Sequence, residues 1–379
     1  MTQPRARVAL LIDSLGSGGA QRQLVELAVR LRERAVVEPT VVSYHRDDFF
    51  RWRLDAAGVA TIRVERSSRL DPGFPVRLAR VLERVDLAHA FLLTPALWAL
   101  AACKISARHG PALIAAERNS LIGESLRQRF LQTLAYRGAD AVTANVADVR
   151  DRIVDRLGVP SDRVHYVPNG IDLDTWDRSA LADCEIPIAG DALHFALVGG
   201  LRPQKNHALL FESLRAVPEP IRRHWKVWCV GGETAGSNAA EAVRAQLRAS
   251  GLGDVVQLVP PVRNVAALLA RVDAVLLTSH YEGFPNVLLE AHASRRPVVT
   301  TRVGDVERLV VAGKSGFVVE PNAAAFSAAM MRVAALAPAD RAHMGEVGRA
   351  SVEAQFSIAA VAARYERIYA DVLRARRSG

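Results

Sequence analysis

Two glutamates, Glu282 and Glu290, stand eight residues apart in "SHYEGFPNVLLEAHA", on either side of an expected helix start. Helix starts attract anions, because their unpaired N–H groups and the helix dipole point outward. Pro285 is expected as the first helical residue, with Glu282 in the loop before it and Glu290 in the second turn. The amides around Gly283, Phe284 and Asn286 would then face a ligand. Two carboxylates here admit two chemistries. They can act as an acid/base pair across a glycosidic bond, or they can accept hydrogen bonds from hydroxyls on either side of a phosphate. A second stretch, "VGGLRPQKNHALL", puts Arg202 and Lys205 between a strand end and a helix, with Asn206 as an expected cap. A guanidinium fork and an ammonium point charge suit a diphosphate. Taken together, the anion site, cations and hydroxyl acceptors fit a sugar–diphosphate–nucleoside.

Other glycine-rich stretches say less. "SLGSGGAQ" places Gly16, Gly18 and Gly19 between a strand and a helix, but Gln21 occupies the third glycine position of a dinucleotide fingerprint. "AGKSG" at 312–316 lacks the earlier P-loop glycine, whose place is taken by Arg308.

These motifs depend on strands to hold them, and the chain supplies strand-like and helical runs in alternation, the pattern of a parallel sheet covered by helices. The first series runs from "VALLID" to "RVHYVP" and the second from "LHFALVGG" to "GFVVE". Between them, residues 169–191 show no period and read as a linker. The expected fold is α/β: two Rossmann-like, doubly wound parallel-sheet domains facing across a cleft. Their expected bounds are 1–178 and 179–355, with a C-terminal helix at 356–379 crossing back to the first. Ligands of such sheets sit beyond the carboxyl ends of the strands, where each motif falls.

Composition sets broad limits. A chain of 379 residues, half of them apolar, suits two globular domains. The net charge of +9 favours anionic partners, but only four of the 49 basic residues are lysines and no basic run occurs. With few aromatics, this argues against nucleic acid as partner. Three scattered cysteines show no metal spacing and point to a reducing, cytoplasmic setting. The apolar run at 87–103 contains His89, Thr94 and Pro95 and reads as strand, turn and helix rather than a membrane span.

The stretch "HYEGFPNVLLEAHASRRPVVTTRVGDVERLVVAGKSGFVVEP" resembles the C-terminal signature of the retaining glycosyltransferase family 4, of GT-B fold, including its E-x7-E element. The resemblance extends to "GSGGAQRQLVELA", "VPNGID" and "LRPQKNHALL", and so to nearly the whole chain. It implies a retaining sugar transfer from a nucleotide-sugar, with UDP the family's frequent nucleotide, no metal and no cofactor. The acceptor would be a hydroxyl, on a glycan or lipid-linked glycan, in polysaccharide or glycolipid synthesis.

By position, Glu282 would touch the donor sugar and Glu290 the ribose. Gly283, Phe284, Pro285 and Asn286 would line the sugar and diphosphate, and Arg202 and Lys205 would neutralise the leaving group. Gly18 and Gly19 would join them on domain closure, and the backbone at Val262 and Arg263 would meet the base. Where the family often has arginine directly after the glycine of "VGRL", this chain has Gly200, so Arg202 would have to reach back. His89 matches a family histidine at the donor or acceptor site, and Glu117, Arg118 and Asn119 would line the acceptor side. Peripheral contact with the inner face of a membrane through N-domain arginines is compatible with this activity. The competing readings are a sugar-nucleotide epimerase of the same shape and a non-enzymatic protein binding anionic ligands.

Overall fold

The computed structural model describes residues 5–68, 71–106, 110–118, 125–188, 190–233 and 236–378. Contacts divide the chain into two compact units, Met1–Gly170 with Ile358–Gly379, and Ile171–Ser357. The first holds strands β1 (Ala6–Leu11), β2 (Val37–Ser43), β3 (Ala60–Arg63), β4 (Leu87–Phe91), β5 (Ala112–Glu117), β6 (Ala141–Ala144) and β7 (Val164–Tyr166). The second holds β8 (Leu193–Val198), β9 (Trp225–Val230), β10 (Val256–Val259), β11 (Ala274–Leu277), β12 (Val298–Thr301) and β13 (Gly316–Val319).

All pairings between these strands are parallel, in the orders β3-β2-β1-β4-β5-β6-β7 and β10-β9-β8-β11-β12-β13. Both orders reverse once, between β1 and β4 and between β8 and β11. Helices cover both faces, so inner strands such as β4, β5 and β11 are buried at every position and read as continuous apolar runs.

One sequence pattern sets register three times. "VDLAHAF", "ADAVTAN" and "VDAVLLTS" each carry an aspartate just before the strand. Asp86, Asp140 and Asp273 accept from the amides of Arg7, Leu113 and His194, at 2.8, 2.7 and 2.8 Å. Each aspartate amide donates back to the carbonyl of the same partner, at 2.9, 2.8 and 2.7 Å. The carboxylate thus gives an acceptor to the amide of the second residue of the neighbouring strand.

Several elements depart from the sequence reading. Residues 173–180 of the expected linker form a helix, Leu173–Ala180, capped by the Asp172 side chain, which accepts from Thr175 N. The stretch 46–85 holds helices Arg51–Ala56 and Phe74–Leu82 around β3. The run 87–103 is β4 followed by helix Leu93–Ile105, and no helix among the described residues is long and apolar enough to cross a membrane. The final helix, Ile358–Ser378, belongs to the first unit. Its Val361, Ala362, Tyr365, Ile368, Tyr369 and Val372 enter the core formed by β1, β4, β5 and helix Gly19–Arg34.

Two predictions follow from the clamps and the buried histidines. Asp273→Ala lowers unfolding free energy in urea by about 1–3 kcal/mol, and Asp273→Asn, which keeps an acceptor oxygen, lowers it by less. Equal losses would assign the effect to the 3.5 Å ion pair between Asp273 and Arg341 instead. His89, His207 and His292 are buried, and burial pushes His207 and His292 down to about 4 and His89 well below its ordinary range. Their folded values lie below the unfolded one, so the stability they contribute is whole above the unfolded value and is lost as pH falls. Thermal stability then declines from near pH 6.5 downward, each histidine costing on the order of 1 kcal/mol by about pH 5.5. A flat melting temperature across that window contradicts this.

Candidate functional site

The second unit reverses between β8 and β11, and a crevice opens beyond strand ends at such a point. The loops following these two strands carry the residues singled out above. After β8 come Gly199 and Gly200, then a 3-10 turn at Pro203–Lys205, and Asn206 in the left-handed region with φ 49°. The Asn206 side chain accepts from Leu209 N and caps helix His207–Ala216. The stem of Lys205 lies across Gly199, where a Cβ would fall 2.8 Å from its Cε. A side chain there would push the lysine stem aside.

The Lys205 Nζ ends 2.7 Å from Glu282 Oε1, in the loop after β11. The same oxygen accepts from Ser279 Oγ at 2.6 Å, and Oε2 accepts from Gln204 Nε2 at 3.4 Å. The lysine and glutamate side chains are 17% and 10% exposed. Further bonds join the two loops: His280 N to Gln204 O, Gln204 Nε2 to Tyr281 O, and Thr278 Oγ1 to Lys205 O. Gly304, at φ 51° after β12, brings its backbone against the Glu282 and Gly283 carbonyls, 2.9 and 2.6 Å from where a Cβ would stand. Glu282 is therefore fixed from below and from the side. Ser279, Thr278 and Gln204 were not singled out in the sequence; their signal was position, directly beside a strand end or a candidate cation.

Beyond Glu282, two expectations are corrected. Pro285 is the residue before the helix, not its first, and the helix spans Asn286–Ala293. The amide of Asn286 is not open to a ligand, because it donates to Phe284 O at 3.0 Å. Among the described residues the amides of Gly283 and Phe284 have no acceptor, while the Phe284 ring is buried against Phe356. Glu290 is half-buried in the second turn of that helix. Arg202 is exposed and its side chain turns back along Gly200, whose Cβ would stand 3.3 Å from the Arg202 Nε. Val262 and Arg263 follow β10 on the same carboxyl edge. The Arg263 amide already donates to Glu185 Oε1 at 2.6 Å, which leaves its carbonyl for a ligand. No group of three or more His, Cys, Asp or Glu side chains able to hold a metal ion occurs among the described residues.

In the first unit, the glycine loop after β1 sits at the β1/β4 reversal. Gly18 precedes helix Gly19–Arg34, both glycines are exposed, and Gln21 folds over Gly18 to donate to Asp13 Oδ1 at 3.0 Å. Leu92, at the end of β4, takes φ 77° and ψ 161°, a conformation costly for any residue but glycine.

Two other expectations for this unit fail, His89 and Glu117, which are both buried. His89 is 0% exposed. Its Nδ1 lies 2.8 Å from the Tyr369 hydroxyl, and its ring packs on Phe91 and Tyr365. It is a core residue held neutral by burial, with the Arg118 charge acting in the same direction. Glu117 is buried too, and accepts from Tyr136 OH at 2.6 Å and Gln132 Nε2 at 3.1 Å. Arg118 lies over the Phe91 ring and donates to Asn169 Oδ1 at 2.8 Å and Tyr365 OH at 2.7 Å. His89 and Arg118 tie the final helix to β4, β5 and the "VPNG" turn, while Glu117 ties β5 to helix Leu126–Gly138. Gln23 completes the lock, exchanging two hydrogen bonds with the Gly170 backbone at 2.7 and 2.9 Å. Asn119 lies outside the described residues.

The sequence model for "Glycosyltransferase Family 4" matches residues 17–175, and that for "Glycosyl transferases group 1" matches residues 192–335. A D-inositol 3-phosphate glycosyltransferase of Geodermatophilus obscurus is 34% identical over 223 residues, covering 55% of this chain and 49% of that protein. The chain spans about half the length of the curated relatives it matches. Among solved structures, Anabaena Alr3699/HepE in complex with UDP superposes with a TM-score of 0.83 at 18% identity, over 96% of this chain and 100% of that one. A glycosyltransferase from Rickettsia africae gives 0.82 at 18%, over 97% and 99%. These likenesses show the fold, GT-B, with parallel sheets of seven and six strands. With one family match over each unit, the chain belongs to the group 1 glycosyltransferases of family 4.

Proposed function

We propose that this chain is a retaining glycosyltransferase that moves a sugar from a UDP-sugar to an acceptor hydroxyl without a metal. The observation that carries the reading is the Lys205–Glu282 pair, held by Ser279 and Gln204 at the β8/β11 reversal. An ammonium beside a carboxylate is matched by a ligand that brings phosphate oxygens for the one and sugar hydroxyls for the other. The donor takes over both charges: its diphosphate draws Lys205, and its hydroxyls donate to Glu282. Arg202 and the amides of Gly283 and Phe284 add positive potential around the same oxygens, Glu290 accepts from the ribose, and the Val262–Arg263 backbone meets the base.

In the reaction the bond from the anomeric carbon to the phosphate oxygen breaks. The acceptor oxygen forms its bond on the same face and passes its proton to the departing phosphate. Lys205 and Arg202 stabilise the charge that develops there, where preorganised groups act most strongly. For the nucleotide, support comes from the neighbour solved with UDP. For the acceptor we propose a glycan or lipid-linked glycan of polysaccharide or glycolipid synthesis. The curated relatives, named for D-inositol 3-phosphate, put a phosphorylated polyol beside it as a second class.

A thermal-shift panel of UDP-, GDP-, ADP- and dTDP-sugars tests the donor, because binding stabilises by mass action. The expected result is a rise with UDP-sugars that persists in EDTA; a rise with another nucleotide alone replaces UDP. Conversion of donor without acceptor would favour an epimerase. Lys205→Ala is expected to lower turnover at least about 100-fold, roughly 3 kcal/mol of barrier, and Glu290→Ala to weaken nucleotide binding. Near wild-type turnover in the first, or unchanged nucleotide affinity in the second, removes that residue's role.

A further inference from the structure

Helix Asn286–Ala293, which carries Glu290, is gripped at its carboxyl end by two other helices of the second unit. Its Val287, Leu288, Leu289 and Ala291 are buried. Apolar burial is non-directional, so sharp placement along the helix axis falls to hydrogen bonds at the ends. The carbonyls of Glu290, Ala291 and His292 accept from the amides of Ser294, Arg296 and Arg295, at 3.0, 2.9 and 3.0 Å. The Ala293 carbonyl accepts instead from the Arg349 guanidinium, at 2.8 Å.

Arg349 is buried on helix Pro338–Gln355. Its fork meets both oxygens of Asp177 at 2.8 Å, and its Nε donates to Glu353 Oε1 at 2.7 Å. Asp177 belongs to helix Leu173–Ala180, whose Trp176 indole donates to Ser294 Oγ at 2.9 Å, directly after the Glu290 helix. Gly345, Gly348 and Arg349 share one face of their own helix, by i, i+3, i+4 spacing. The two glycines let that face close on the segment it grips. A Cβ on Gly345 would collide with the Arg295 carbonyl, and one on Gly348 with the His292 ring.

We infer that Arg349 is a positioning residue for nucleotide binding: through the Ala293 carbonyl it sets where the Glu290 carboxylate stands. A bidentate pair fixes direction as well as distance, so Asp177 holds the guanidinium while the guanidinium holds the helix. Ala293 stands three residues after Glu290, within one helical turn, so a shift at the gripped end reaches the carboxylate. One residue of helical rise is about 1.5 Å, and a displacement of that size breaks a hydrogen bond of ordinary length. This role rests on Glu290 being the ribose contact, and the test separates the two.

Calorimetric titration of UDP into wild type, Glu290→Ala, Arg349→Met and the double variant provides that test, with melting temperatures measured alongside. Arg349→Met is expected to weaken UDP binding at least about fivefold in the wild-type background. With Glu290→Ala already present, the same substitution is expected to change it less than about twofold, because residues acting through one contact do not add. Ser294→Ala, which removes only the acceptor of Trp176, is the milder variant should Arg349→Met not fold. It is expected to weaken UDP at least about twofold, again only where Glu290 is present. A lowered melting temperature with unchanged UDP affinity makes Arg349 merely structural and overturns the inference. So do equal losses in both backgrounds, which would place its effect outside Glu290. UDP affinity unchanged by Glu290→Ala alone removes the ribose contact itself, and the positioning role with it.

Discussion

The architecture of the second unit's site turns on one ion pair. Lys205 and Glu282, 77 residues apart in the chain, come from loops after two strands that adjoin in the sheet. Removing both charges from most of their solvent is costly, and attraction between them offsets this only where other groups satisfy their remaining donors and acceptors. Ser279 and Gln204 do so for Glu282, while Gly199 and Gly304 allow the approaches that bring the groups together. An isolated half-buried pair adds little net stability. A pair that a ligand can split, giving each charge a better partner, is a use for the arrangement that stability alone does not supply.

The first unit places its buried polar groups differently. His89, Glu117, Arg118, Asn145 and Asn169 face inward, and their partners include Tyr365 and Tyr369 on the final helix. Buried polar groups must be paired, and a network that spans β4, β5, the "VPNG" turn and the last helix fixes where that helix docks. Burial there also pushes the Tyr365 and Tyr369 hydroxyls above their ordinary range and keeps them protonated, able to donate or accept within the network. The "VPNGID" motif gains a physical meaning from this. Asn169 accepts from Arg118 and Asn145, and Gly170 leaves room for Ile358 and Val361.

Much of this was legible in the sequence because it depends on local pattern. Apolar runs alternating with amphipathic ones gave the parallel sheets, and the polar residues at strand ends located the loops that hold Lys205 and Glu282. What stayed hidden depends on distant contacts. His89 and Glu117 lie on strands buried on both faces, so no alternation reveals which side chains meet solvent, and Tyr369 lies 280 residues beyond the histidine it covers. The helix Leu173–Ala180 was missed for another reason. It is too short to show a period, yet the Asp172 cap, Asp174 in the first turn and Arg178 in the last were all present. Pro285 shows the reverse error, where a residue favoured at the first helical position sits one place earlier.

The central claim is that a donor's diphosphate takes Lys205 from Glu282. Calorimetric titration of UDP into wild type, Lys205→Ala and Glu282→Gln tests it most directly, because UDP carries the phosphates without the sugar. The account predicts that UDP binds Lys205→Ala at least about tenfold more weakly, and binds Glu282→Gln as tightly as wild type or more so, since no carboxylate then competes for the ammonium. UDP affinity unchanged by Lys205→Ala, or weakened by Glu282→Gln as much as by Lys205→Ala, would contradict it.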